Sequence, residues 1–151
     1  MGACVVGVGQ EMAGDDGVGL AVAREAARRG IGGLSVVEAA EPSDLLPLFE
    51  EHTRVVIVDA FLGKPEGEVR TLSADELSRA RRPVSSHGIT VAQAIDLARA
   101  LHGGATEVRV VGIAIALVGG LDRALSPPVA AAVAPACELA IALALGENQR
   151  A

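Results

Sequence analysis

The sequence VVGVGQEMAGDDGVGL at residues 5–20 decides the fold. A run of apolar residues enters a loop rich in glycine, two adjacent aspartates follow, and apolar residues then recur at helical spacing. We predict a strand over Ala3–Val8, a tight turn that glycine permits, and a helix that ends at Gly30. The chain therefore opens with a strand, a loop and a helix.

Apolar segments with strand and helix periodicity alternate along the rest of the chain. Such alternation implies parallel strand pairing, with helices that carry the chain back across both faces of one sheet. The expected strands are Leu34–Ala39, residues 55–58, residues 107–113 and an edge strand at residues 68–72. Helices are expected to begin near Ser43, Ser73, Thr90 and Ser126. This pattern predicts one α/β domain over residues 1–151.

Composition and charge narrow the class of protein. Half of the 151 residues are hydrophobic but only two are aromatic, so the core is expected to consist of Val, Leu, Ile and Ala. The formal net charge is -6, and the sequence contains no run of Lys and Arg residues longer than Arg81-Arg82. Nucleic acid is therefore an unfavourable partner, because its phosphates require a basic face.

Cysteine use and hydropathy bear on the compartment. Cys4 and Cys137 lie in separate apolar runs without a CxxC motif, which indicates two buried thiols in a reducing compartment, by default the cytosol. No basic segment precedes a hydrophobic stretch at the start, so we expect no secretory signal. Residues 128–145 are apolar, but Pro135 and Glu138 interrupt them, which favours a helix packed on the sheet over a membrane span.

Three side chains stand out because ligands of such folds bind beyond the carboxyl ends of the strands. Asp16 follows the first predicted strand, Asp59 follows the apolar run VVIV, and His87 lies in a loop before a predicted helix. They could meet at one edge of the sheet. Two carboxylates and an imidazole suit Zn, Ni, Mn or Fe and leave coordination positions open for water or substrate.

Simpler roles exist for each of these residues. Asp15 or Asp16 could cap the first helix, and since one cap is enough, a ligand role and a solvated charge are equally open for the second aspartate. Asp59 would be costly to bury without a partner, so it either caps a loop or binds something. A loop histidine such as His87 is more often a hydrogen-bonding residue than a ligand.

Two other classes of site compete with a metal centre. Gly7 and Gly9 follow a strand and Glu38 ends the next one, as in a dinucleotide site, but the third glycine of GxGxxG is misplaced and the two aspartates would repel pyrophosphate. Ser85 and Ser86 precede His87, but neighbours in sequence seldom reach the geometry of a nucleophile and its base, and GxSxG is absent.

At these residues the chain resembles the hydrogenase maturation endopeptidases, the nickel-dependent proteases that trim the C-terminus of the NiFe-hydrogenase large-subunit precursor. GVGQEMAGDDGVG matches the opening turn of the family except for one asparagine, replaced here by Gln10. VVIVDA and SSHGIT match its second and third ligand segments. The late segments EVRVVGI and LSPPV are also similar to the family.

This resemblance implies a three-layer α/β/α sandwich of the phosphorylase/hydrolase-like kind, with about five strands in a mostly parallel, twisted sheet and one antiparallel edge strand. It implies an endopeptidase whose metal centre is Asp16, Asp59 and His87. These residues would recognise nickel carried by the precursor, and another divalent ion could occupy the site in vitro. The implied partner is the hydrogenase large-subunit precursor, after nickel insertion.

The sequence also departs from the family pattern. Gln10 replaces the turn asparagine, residues 39–44 (AAEPSD) replace the usual Gly-Thr pair, and IAIA follows Gly112 where a polar segment is common. A non-catalytic module that binds a metal or a metalloprotein therefore stands as the alternative, with a dinucleotide-binding domain behind it.

Overall fold

The computed structural model describes residues 2–10, 14–80, 88–116 and 124–146. Within these ranges the strands are β1 (Ala3–Val8), β2 (Leu34–Ala39), β3 (Arg54–Leu62), β4 (Val69–Leu72) and β5 (Glu107–Ile115). The α-helices are α1 (Val18–Arg29), α2 (Leu46–Glu51), α3 (Ala74–Arg79), α4 (Val91–His102) and α5 (Pro127–Ala144). Two short 3-10 helices occupy Gly14–Gly17 and Pro42–Leu45.

The strands form one sheet in the order β2-β1-β3-β5-β4. Neighbours are parallel except for β4, which is antiparallel to β5 at the edge. The prediction of a mostly parallel sheet with one antiparallel edge strand near residues 68–72 is therefore confirmed. The carboxyl ends of the four parallel strands meet at one edge of this sheet, which we call the carboxyl edge.

Helices cover both faces of the sheet and complete the three-layer sandwich. Helices α1 and α5 bury their apolar residues against one face, and α2, α3 and α4 bury theirs against the other. Each core consists almost wholly of Val, Ile, Leu and Ala. Branched side chains interdigitate between parallel strands and helices, which is why the chain can form its core with two aromatic residues.

Helix α5 is long and apolar enough to cross a membrane by length and composition. Its buried residues, among them Val129, Ala136 and Ile141, lie in the core beside α1. Cys137 is buried on this helix, whereas Cys4 is buried in the core on the opposite face. Both cysteines are free thiols, as predicted.

Two predictions about local structure were wrong. The helix predicted to start at Ser43 is instead a 3-10 helix followed by α2, and the capping residue is Glu41, in a capping box with Asp44. Strand β3 was expected to end at Val58 but continues to Leu62, so Asp59 lies inside the strand rather than at its end. The strand continues because β5 pairs with it as far as Leu62, opposite Ile115.

The stability of the protein is predicted to fall between about pH 9 and pH 11. Burial, with a smaller contribution from Glu51, raises the pKa of the Cys4 thiol from 9.0 to about 11. The folded state therefore keeps a proton that the unfolded chain releases, so this contribution is complete below pH 9 and is lost as the pH rises through 11. Two pKa units correspond to about 2.7 kcal/mol.

Urea unfolding at several pH values measures this effect, with Cys4→Ala as the test variant. Few other groups titrate in this range, because the chain has no tyrosine and Lys64 is its only lysine. Cys4→Ala should flatten the alkaline fall in unfolding free energy. Burial also raises the pKa of the Cys137 thiol, but Arg29 opposes this rise, so the matched variant Cys137→Ala should flatten the alkaline fall less. An equal alkaline fall in wild type and Cys4→Ala would contradict the prediction.

Candidate active site

Close packing of glycines brings the start of α1 onto the carboxyl edge. A Cβ atom at Gly7 would lie 2.0 Å from the main-chain oxygen of Gly19, and one at Gly19 would lie 2.7 Å from that of Val58. A Cβ atom at Gly9 would lie 2.7 Å from the main-chain oxygen of Asp16. The backbone of the Gly14–Gly17 turn and of α1 therefore rests directly on the ends of β1 and β3.

Asp59 occupies the point on β3 where its pairing with β1 stops. Val58 is the last residue of β3 paired with β1, opposite Gly7, whereas Asp59 pairs only with Gly112 of β5. The side chain of Asp59 is 1% exposed and is the one buried charged residue in the described part of the chain. Its Oδ1 accepts a hydrogen bond of 2.8 Å from the backbone N–H of Ala60.

The direction of the Asp59 side chain follows from strand alternation. Ile57 and Phe61 point into the core with α2, α3 and α4, while Val58 and Ala60 point into the core with α1 and α5. Asp59 therefore faces the α2, α3 and α4 side. A carboxylate in such a position is costly to bury, and this cost makes the residue a strong candidate for a functional role.

Asp16 lies on the neighbouring connection, in the turn Gly14–Gly17 between β1 and α1. It is half-buried, and its turn contacts β3, the strand that contains Asp59. The structure thus places two of the three predicted site residues in adjacent elements of the carboxyl edge. Sequence reasoning selected both from one rule, that ligands bind beyond the carboxyl ends of parallel strands.

Asp15 does not cap α1, although its position in the sequence favours such a role. The N-cap of α1 is Gly17, which makes no side-chain capping bond, because the 3-10 turn separates the aspartates from the helix. The carboxylate of Asp15 instead accepts two hydrogen bonds from Ser126, at 2.7 Å from its backbone N and 2.8 Å from its Oγ. Ser126 is the N-cap of α5. No local pattern pointed to this pair, which is separated by 111 residues.

His87, the third predicted site residue, lies outside the described residues. The helix that follows it is well defined: Thr90 is the N-cap of α4. The start of α4 is tied to α3 by a 3.3 Å hydrogen bond from Ala92 N to Ser78 Oγ, and α3 is tied to β3 by a 2.6 Å bond from Leu62 N to Ala80 O. Helix α4 therefore begins beside the carboxyl end of β3, on the face to which Asp59 points.

Within the described ranges, no three His, Cys, Asp or Glu side chains come together as a metal site. The assignment of Asp16, Asp59 and His87 as metal ligands thus stays a prediction. Asp16 and Asp59 are oxygen donors on adjacent elements of one edge, which suits a divalent ion that receives further ligands from elsewhere.

Two departures from the family pattern contact each other. The Nε2 of Gln10 donates a 3.0 Å hydrogen bond to the main-chain oxygen of Ala40, and Oδ2 of Asp44 accepts from the backbone N–H groups of Ala40 and Glu41. The segment after β2 is thus closed on itself and joined to the turn after β1. Together these residues form one side of the carboxyl edge.

The dinucleotide interpretation finds no support in this geometry. The space beside Gly7 and Gly9 is filled by the backbone of the chain itself, where a pyrophosphate would have to approach. Glu38, the candidate ribose-binding residue, forms a 3.0 Å ion pair with Arg24. These glycines therefore serve the packing of α1 on the sheet.

The fold is shared with solved structures of a class of endopeptidase. The fold is similar to that of the hydrogenase maturating endopeptidase HybD from E. coli, with a TM-score of 0.76 at 23% identity over 97% of this chain and 93% of that chain. It is also similar to the E. coli endopeptidase HycI, with a TM-score of 0.73 at 27% identity over 91% and 88% of the two chains. For the NiFe hydrogenase maturation protease HybD from Thermococcus kodakarensis, the TM-score is 0.71 at 27% identity over 95% and 99%.

The chain belongs to the hydrogenase maturation protease family, whose sequence model matches residues 26–143. It is accordingly a peptidase, as the resemblance in the sequence implied. The matched range contains Asp59 and His87 and begins after Asp16. No curated protein sequence matches the chain.

Gly9→Ala is predicted to disturb the turn that carries Asp16. A Cβ atom 2.7 Å from the main-chain oxygen of Asp16 meets backbone that cannot rotate away, so the turn has to shift. Overpacking of this kind costs about 1–3 kcal/mol of unfolding free energy. Urea unfolding measures the cost, and hydrogen exchange should quicken at residues 14–17.

The matched control is Gly32→Ala, because a Cβ atom there meets nothing within 4 Å. It should change the unfolding free energy by less than about 0.5 kcal/mol. Equal stability of the two variants would show that the turn after β1 is looser than the structure indicates.

Proposed function

We propose that this peptidase removes the C-terminal peptide from a NiFe-hydrogenase large-subunit precursor after nickel has been inserted. Asp16, Asp59 and His87 are proposed to recognise the nickel that the precursor carries. Membership of the hydrogenase maturation protease family supports the reaction. Similarity to the Thermococcus kodakarensis protein, a NiFe hydrogenase maturation protease, supports the class of substrate.

The observation that carries the proposal is the position of Asp59. It is a buried carboxylate between apolar neighbours in β3, one residue beyond the last pair of β3 with β1, and the turn that carries Asp16 also contacts β3. A carboxylate in an apolar layer is costly to desolvate even where it accepts hydrogen bonds, and an uncharged side chain would avoid this cost. Binding of a cation is a physical reason to retain it.

The charges and donor atoms of the edge fit this role. Asp16 and Asp59 supply carboxylate oxygens, and His87 would add a borderline nitrogen donor, a set that suits nickel. In this proposal the ion belongs to the substrate, so the three side chains act as a docking point for it. Docking holds the adjacent peptide bond in a fixed place on the enzyme, and fixed placement alone contributes several kcal/mol to catalysis.

In this proposal, the acidic edge also disfavours a precursor that carries no nickel. Asp16 lies in a turn with Asp15, and Glu41 and Asp44 lie on the neighbouring segment after β2. A precursor without its metal ion would lack the positive charge of that ion to compensate these carboxylates. The enzyme is therefore expected to discriminate between loaded and unloaded precursor through electrostatic complementarity.

Asp16→Asn, Asp59→Asn and His87→Ala should each lower the rate of precursor processing by about 100-fold or more, which corresponds to about 2.7 kcal/mol of transition-state free energy. The amide oxygen of Asn can still accept the bond from Ala60 N, so Asp59→Asn should remain folded. The measurement is cleavage of nickel-loaded precursor, followed by mass spectrometry, with circular dichroism of each variant.

The matched control is Asp96→Asn, the same chemical change on the exposed surface of α4. It should process precursor at the wild-type rate. If all three site variants also process normally, the proposal is wrong. If the wild type binds loaded precursor without cutting it, the chain is a non-catalytic binding module instead.

A further inference from the structure

The contact between Asp15 and Ser126 joins two connections at the carboxyl edge. Asp15 belongs to the turn between β1 and α1, and Ser126 begins α5, the helix that follows β5. Both oxygens of the Asp15 carboxylate are engaged, one by the backbone N–H of Ser126 at 2.7 Å and one by its hydroxyl at 2.8 Å. Hydrogen bonds to an ionised acceptor are about twice as strong as neutral ones.

The Gly14–Gly17 turn has little rigidity of its own. It is a 3-10 helix of four residues with glycine at both ends, and Gly14 adopts a left-handed φ of 63°. It holds no buried residue, and no side chain caps the helix that follows it. Such a turn requires contacts from outside to hold one conformation.

Helix α5 can supply this support. It packs against α1 in the core on the same face of the sheet, with residues such as Val129 and Ala136 fully buried. The first turn of α5 is therefore held firmly by the core, and it lies beside the Gly14–Gly17 turn. Asp15, one residue before Asp16, is joined to this turn of α5 by its two hydrogen bonds from Ser126.

We propose that Asp15 is a positioning residue, which holds Asp16 in its working place through the N-cap of α5. This inference rests on the proposed function of Asp16. Replacing Asp15 should therefore slow the reaction by more than the loss of stability explains. Ser126 shares this positioning role, because it holds Asp15.

Three substitutions test the role of the Asp15–Ser126 pair in precursor processing. Asp15→Asn keeps the shape but loses the charge and one acceptor, and it should lower kcat by about 10-fold or more, since displacement of a reacting group by 1 Å can cost about 10²-fold. Ser126→Ala removes only the hydroxyl bond and should lower kcat by about 3-fold to 10-fold. Ser126→Thr keeps both bonds and should restore kcat to within about 2-fold of wild type.

Ser73→Ala is the matched control for a purely structural role. Ser73 is the N-cap of α3, where its Oγ accepts a 3.0 Å bond from Glu76 N, and it follows the antiparallel strand β4. Each of these two variants loses one side-chain hydrogen bond of a residue that begins a helix, so Ser73→Ala should lower the thermal midpoint by about as much as Ser126→Ala and leave kcat unchanged. If kcat falls equally in Ser73→Ala and Ser126→Ala, or if Asp15→Asn processes at the wild-type rate, the inference is overturned.

Hydrogen exchange separates this inference from the proposed function. Asp15→Asn and Ser126→Ala should speed amide exchange at residues 14–17 by about 10-fold or more, and Ser73→Ala should not. If the wild type cleaves no precursor, the proposed function has failed, and exchange alone decides whether Asp15 fixes the turn. Unchanged exchange in Asp15→Asn and Ser126→Ala would overturn the positioning role. Should Asp15→Asn fail to fold, Ser126→Ala, which loses a single bond, decides the same question.

Discussion

The rest of the structure depends on the direct contact between the backbone of α1 and the ends of β1 and β3. Gly7 and Gly19 permit this contact. A side chain at Gly7 would overlap with the main chain of α1, and a side chain at Gly19 would overlap with the main chain of β1 and β3. This contact places the first turn of α1 directly on the ends of both strands. The Gly14–Gly17 turn, which carries Asp16, also contacts β3, the strand in which Asp59 is buried.

Local patterns in the sequence were sufficient for much of the fold. The bounds of β1, β2 and α4 follow from apolar periodicity and from glycine or threonine at their ends, since these signals act within a few residues. The extension of β3 past Val58 could not be predicted in this way. Asp59 interrupts the apolar run, and only the pairing with β5, a strand far along the chain, continues the strand.

The residues of the candidate site also differ in whether the sequence alone could predict their roles. Asp16 and Asp59 could be selected because the topology of a parallel sheet assigns carboxyl ends to one edge, whatever the details of packing. The role of Asp15 could not, because its partner is a serine far along the chain whose sequence context indicates only a helix start. The same holds for Gln10, whose bond to Ala40 joins two segments that each look like an isolated departure from the family pattern.

The bond between Asp15 and Ser126 has a consequence for the order of assembly. Its two partners are separated by 111 residues in the sequence, and Ser126 is positioned only when α5 packs beside α1. Contacts of such long sequence separation form late, because the loop between them must be closed first. During folding, the bond between Asp15 and Ser126 is therefore expected to form after the local contacts of β1, α1 and β2. If Asp15 positions Asp16 as proposed, the carboxyl edge is complete only after α5 has packed beside α1.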